Sequence, residues 1–193
     1  MLSRTISYTT LGLEALQVSV EVDGGRGLPA LTIVGLPDQA VKEAKERVRT
    51  AIINSQYSLP SVRFTVNLGP ADLKKEGGVF DLAIALGILA SSGQLDPAAL
   101  VSVTVLGELA LDGSVRPVRG VLPIAMAARK SNRPLIVPAH NASEAALVKE
   151  VRVIPVNSLI EAVEFFSGKL PIEPYRIPQD TLTQTVNCYD VDF

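Results

Sequence analysis

Residues 63–95, RFTVNLGPADLKKEGGVFDLAIALGILASSGQL, decide the fold. They open on a short β-branched strand, Arg63 to Asn67, closed by Gly69-Pro70. A polar loop comes next, interrupted by Gly77-Gly78, and a buried helix begins near Phe80. The uncharged run from Leu82 to Leu95 is too short to span a bilayer, which takes about 20 apolar residues, and it contains Gly87, Ser91, Ser92 and Gly93. It reads as a core helix behind a strand.

Upstream, Gln17 to Asp23 alternates Val18, Val20 and Val22 as a half-buried strand does, with Asp23-Gly24-Gly25 as its turn. Leu31 to Val34 is a second strand, ended by Gly35-Leu36-Pro37. Asp38 stands at a helix N-cap position, and Ala40, Val41, Ala44, Val48, Ala51 and Ile52 gather on one arc of the helix after it. Met1 to Leu16 receives no element; it lacks an apolar signal core and a small-residue cleavage site, so a cytoplasmic location is expected. Downstream, Val101 to Val118 reads as a hairpin turning at Asp112-Gly113 in type I′ geometry. Then come a helix from Pro117 to Lys130, a strand from Leu135 to Val137, a short helix from Ser143 to Lys149 and a strand from Val151 to Val156. A last helix is capped by Asn157-Ser158 with Glu161 completing a capping box, and it runs to Phe166. The expectation is one α+β domain over residues 1–169, and after it a proline-punctuated linker or tail over 170–193.

Composition narrows the chemistry. One cysteine, Cys188, excludes an internal disulfide, and one histidine, His140, leaves a zinc site without its usual ligands, so no metal is expected. Eighteen basic against 20 acidic residues exclude the global positive field of a dedicated nucleic-acid binder, so such contact must be local. Neither a P-loop nor a Gly-x-Gly-x-x-Gly turn after a strand occurs, and no Gly-x-Ser-x-Gly elbow accompanies His140. No catalytic residue and no cofactor are assigned to this chain.

Two stretches carry a family resemblance: Thr32-Ile33-Val34-Gly35-Leu36-Pro37-Asp38 with its helix, and Val66 to Gly78 with Phe80-Asp81-Leu82 and Leu106-Gly107-Glu108 to Gly113 after it. Together they resemble the N-terminal domain of the magnesium-chelatase-like, competence-associated AAA+ proteins of the ComM or YifB type. The resemblance implies a Lon-protease-like fold (ribosomal protein S-five domain-two-like), a mixed β-sheet packed with helices. It implies a downstream AAA+ ATPase that uses ATP and magnesium, forms a homo-oligomeric, hexameric ring and drives branch migration of recombining DNA. No membrane partner is expected, because the most apolar run is too short to span a bilayer. Lon's serine and lysine dyad finds no counterpart: the serine-equivalent turn reads Glu76-Gly77-Gly78-Val79, and the lysine position falls at about Leu122.

The positive signal left is cationic. Lys42, Lys45 and Arg49 form one stripe on the helix after Asp38, interleaved with Glu43 and Glu46; Lys74 and Lys75 flank the Gly77-Gly78 turn, and Arg26 lies in a glycine-rich turn. These six are the candidate contacts to DNA backbone. Lys42 with Glu46 is the competing surface pair, worth a few tenths of a kcal/mol. Asp81 is read as a cap or dipole partner of its helix, Asp112 as a turn former and Glu108 as a cross-strand or intersubunit pairing residue. The expected role is non-catalytic help with ring assembly and DNA contact. The alternatives are an oligomerising or docking domain without DNA affinity, or a degenerate protease domain that binds peptide.

Overall fold

A mixed seven-stranded sheet with helices on both faces organises the chain, in a computed structural model that describes residues 1–178. The strand order is β3-β4-β2-β1-β5-β8-β9, and a separate two-stranded sheet pairs β6 with β7. In chain order the strands are β1 (Leu2–Leu11), β2 (Glu14–Gly25), β3 (Ala30–Val34), β4 (Arg63–Gly69), β5 (Thr104–Val105), β6 (Glu108–Leu109), β7 (Val115–Arg116), β8 (Leu135–Pro138) and β9 (Val153–Val156). The helices are α1 (Gln39–Asn54), α2 (Asp81–Ser91), α3 (Ala98–Val101), α4 (Val121–Lys130), α5 (Ala142–Ala145) and α6 (Leu159–Phe166). Antiparallel pairing joins β1 to β2 and β2 to β4; the pairs β3–β4, β1–β5, β5–β8 and β8–β9 are parallel.

Strand β1, for which the sequence offers no signal, runs for ten residues at the centre of the sheet. Its face toward α2 carries Ser3, Thr5, Ser7 and Thr9, all buried, where an aliphatic stripe would announce a strand. Small hydroxyl side chains let α2 lie close: Ser3 Oγ donates to the Gly87 carbonyl at 2.7 Å, and a Cβ on Gly87 would sit 2.6 Å from Val22 Cγ2. The fit of α2 depends on that glycine. All 11 residues of α2 are buried, as the uncharged run after Asp81 requires; Asp81 is the exception that needs a partner. It packs with α1 and α6 against Val18, Val20, Val22, Val66 and Leu68. On the opposite face α4 and α5 cover Ile6, Tyr8, Leu135, Val137 and Val153.

Helix α1 forms as its pattern predicts. Val41, Ala44, Val48, Ala51 and Ile52 are buried, and the Val41 N–H donates to Asp38 Oδ1 at 2.8 Å. Ser158 caps α6 likewise, accepting from the Glu161 N–H at 3.1 Å while Glu161 Oε2 accepts from the Asn157 N–H at 2.7 Å. Elsewhere the local reading is corrected. Val101 ends helix α3 and is not on a hairpin strand. The turn beyond β6 is not type I′, because Asp112 does not adopt the positive φ that type requires. Gly113 alone does, at φ 85, and its N–H donates to the Ala110 carbonyl at 3.0 Å, the pattern of a three-residue loop with a glycine bulge. Helix α4 starts at Val121, after Gly120 in the left-handed region, so Pro123 falls within its first turn, where its missing N–H is harmless. Of the tail expected over 170–193, residues 179–193 lie outside the described residues. Before them, Ile172 and Tyr175 pack against the two cores, and the Tyr175 N–H donates to the Val153 carbonyl at 2.8 Å.

Candidate functional site

The exposed face of α1 carries Lys42, Lys45 and Arg49, and none of the three forms an ion pair among the described residues. The competing Lys42–Glu46 pair does not form; Glu43 instead accepts from Gln39 Nε2 at 3.0 Å. Lys45 and Arg49 border a groove of about 340 Å3 whose floor includes Leu31, Leu59, Val62 and Phe64. The groove lies where β3 and β4 begin. Arg26 is exposed in the loop just before β3, and the neighbouring Gly27 packs on Arg63.

The other two candidates sit at the opposite end of α1. The loop after β4 is sewn to the helix start: the Lys75 N–H donates to the Leu36 carbonyl, the Asp38 N–H to the Lys75 carbonyl, and the Gly77 N–H to Asp38 Oδ2 at 3.3 Å. Lys74 is exposed and bridges to Glu76 at 2.7 Å, which holds its ammonium above the ordinary lysine range. Lys75 must be withdrawn as a DNA contact. Its side chain is fully buried, Nζ donates to the Pro70 carbonyl, and burial lowers its pKa. A strand-like bridge between Pro37 and Lys75 fixes the backbone there and turns the four-carbon stem inward. Adjacent lysines on an extended segment point to opposite sides, so one of the pair had to face the protein.

Asp81 is not the cap expected of it: Phe80 holds the N-cap position of α2, no side chain caps that helix, and Asp81 stands in its first turn. Its carboxylate is fully buried and accepts from Arg47 Nε at 2.8 Å, from Arg47 Nη2 at 3.2 Å and from the Leu109 N–H at 3.2 Å. One carboxylate thus joins α1, α2 and β6. Burial pushes Asp81 up to about 6 against the pull of Arg47, whose guanidinium is in turn held above its usual value by Asp81. Arg47 also donates to the Ala40 carbonyl at 3.1 Å. Sequence reasoning missed Arg47, although its place between the apolar arc and the cationic stripe was the available signal.

A second concavity, about 410 Å3, lies between the Gly77-Gly78 turn, the end of β1 and the start of α4, bordered by Glu76, Glu108, Arg119, Thr9, Thr10 and Ile124. Glu108 lies against Gly78, where a Cβ would come within 2.6 Å of its Cγ, and Arg116 approaches Glu108 at 3.9 Å across the β6–β7 hairpin. Leu122 is exposed on α4 and sends its backbone N–H to Glu144 at 3.2 Å. No cluster of three or more metal-ligating side chains occurs among the described residues. No helix among them is long and apolar enough to cross a membrane.

Residues 20–141, more than half of the chain, match the family model described as subunit ChlI of Mg-chelatase. The chain belongs to this family. Among relatives, it is 48% identical over 168 residues to competence protein ComM of Haemophilus influenzae, covering 86% of this chain and 33% of that protein. It is 42% identical over 187 residues to YifB of Escherichia coli, covering 96% of this chain and 37% of YifB. A more distant relative, Lon protease of Trichlorobacter lovleyi, is 24% identical over 180 residues, 86% of this chain and 22% of the protease. The chain spans about a third of the length of ComM and YifB.

Proposed function

We propose that this chain is the non-catalytic N-terminal domain of a cytoplasmic AAA+ protein that acts on DNA in recombination and natural transformation. In this reading it helps to assemble a hexameric ring and contacts DNA backbone. ATP and magnesium belong to an ATPase domain downstream. The observation that carries the reading is the 48% identity to a competence protein over 86% of this chain. The cations Lys42, Lys45 and Arg49, unpaired among the described residues, supply the surface for phosphate contact, with Arg26 at the same end of the sheet as the groove. Lys74 has only its exposed partner Glu76, a pair too weak to withhold it from a phosphate. Among the described residues, neither a serine nor a lysine lines the second concavity beside the Gly77-Gly78 turn, which favours a non-catalytic role; Leu122 lies outside it, exposed on α4.

Fluorescence anisotropy with labelled single-stranded, duplex and forked DNA tests this. Three phosphate contacts give a slope of log K against log salt of roughly −2.1 for single strands to −2.7 for duplex, so affinity falls about 20- to 40-fold between about 50 and 200 mM salt. Changing Lys42, Lys45 and Arg49 to glutamate is expected to abolish that binding. Self-assembly in native mass spectrometry with no DNA binding at low salt would instead make this an oligomerising domain.

A further inference from the structure

The densest unpaired positive charge among the described residues is not the α1 stripe. Arg129, Arg133 and Arg152 border a concavity of about 240 Å3 between the end of α4 and the starts of β8 and β9, with Asn132 and a single carboxylate, Glu150. Lys130 and Lys149 adjoin it in sequence and are exposed. None of these five cations forms an ion pair among the described residues. Basic residues in the last turn of a helix complement the partial negative charge of its C-terminus, which accounts for Arg129 and Lys130. It does not account for Arg152, which comes from the segment before β9, nor for Arg133.

Arg133 is the least exposed of the three arginines. Its Nη1 is shielded from solvent and has no hydrogen-bond partner among the described residues. A charged nitrogen removed from water without an acceptor is strongly unfavourable, and Glu150, the one carboxylate in the concavity, does not reach it. An oxyanion with several acceptor oxygens placed in the concavity would neutralise the excess charge of the three guanidinium groups that line it; it would meet the part of Arg133 that lines the concavity, because Nη1 itself is closed to solvent. Tetrahedral phosphate has the geometry that guanidinium matches with paired bonds.

We propose that Arg129, Arg133 and Arg152 form a phosphate-binding site, separate from the α1 surface and independent of the DNA contacts assigned there. Its ligand is a phosphate group, either free or part of a polynucleotide backbone.

Titration calorimetry with inorganic phosphate, on the whole chain and on Arg133→Gln and Arg152→Glu variants, tests the site. The unmodified chain is expected to bind one phosphate, and each variant to weaken binding about tenfold or more, the loss of one charge-assisted hydrogen bond. The Lys42, Lys45, Arg49 to glutamate variant is expected to bind phosphate unchanged, which separates this site from failure of the α1 reading. Arg152 is exposed, so Arg152→Glu retains its fold and carries the test even if Arg133→Gln does not fold. Anisotropy with a single-stranded oligonucleotide identifies the source. A shallower salt slope in Arg152→Glu, by about 0.7 per lost contact, assigns the site to backbone phosphate, and an unchanged slope with weakened inorganic phosphate assigns it to a free phosphate. Absence of phosphate binding at millimolar concentration, or equal binding by Arg152→Glu, overturns the proposal.

Discussion

Replacing Arg47 with methionine is expected to lower stability by about 3–5 kcal/mol at neutral pH, because it leaves the Asp81 carboxylate buried without its counter-ion. At pH 4 the same substitution is expected to have a far smaller effect, and proton linkage sets the direction. The folded-state value of Asp81 stands at about 6, above its ordinary value of 3.8, so the folded protein holds a proton there that the unfolded chain releases. Stability from this group is therefore present below about pH 4 and declines as pH rises to about 6, by roughly 3 kcal/mol over that span. Without Arg47 the value rises further and the decline extends to higher pH. Asp81→Asn removes this pH dependence while keeping the side chain's size. Urea unfolding of the three proteins between pH 4 and 8 reads all of it. A pH-independent loss in Arg47→Met would show that the arginine acts through packing alone.

The other large effect lies at Gly35. Its φ is +98°, and an added Cβ would overlap the Leu68 carbonyl oxygen and lie 2.8 Å from the Leu68 carbonyl carbon. Those atoms belong to β4 and have no room to retreat. Gly35→Ala is expected to destabilise by about 3 kcal/mol or more, the sum of backbone strain and overpacking. Gly77 is the control: its φ is +77° but nothing lies within 4 Å of its Cβ position. Gly77→Ala should therefore show the strain alone, about 1 kcal/mol. Equal losses in the two thermal melts would mean that the approach of Leu68 contributes nothing.

Helices whose signals are local were legible in the sequence. Asp38 and Ser158 each cap the next helix through a bond spanning three residues, and the apolar arc of α1 and the uncharged run of α2 specify their own burial. Features that required three dimensions were hidden. Strand β1 buries serine and threonine beneath α2, so its polarity masks its place at the sheet centre. The Arg47–Asp81 pair joins residues 34 apart, and although Asp81 lies in a recognisable stretch nothing there points to Arg47. Lys74 and Lys75 look alike in sequence, and only the bridge to Pro37 decides which one is buried. Arg129, Arg133 and Arg152 converge only when β8 and β9 pair, so no linear window contains them.

The sheet also has a seam. Strands β1 and β2 share ten registered pairs and β2 and β4 seven, whereas the parallel pairing of β1 with β5 rests on the single pair Ile6↔Thr104. Everything through α2 is contiguous in the chain; β5, β8 and β9 join the sheet along that thin line, although their side chains share both cores with it. Fewer ladder bonds on that side predict weaker backbone protection there. Amide hydrogen exchange should retain deuterium at Leu135, Ile136, Val137, Val153, Ile154 and Val156 for less time than at Val18–Val22. The same line is where the β8–β9 layer, bearing its arginines, would tilt against the rest of the sheet when something pulls on it.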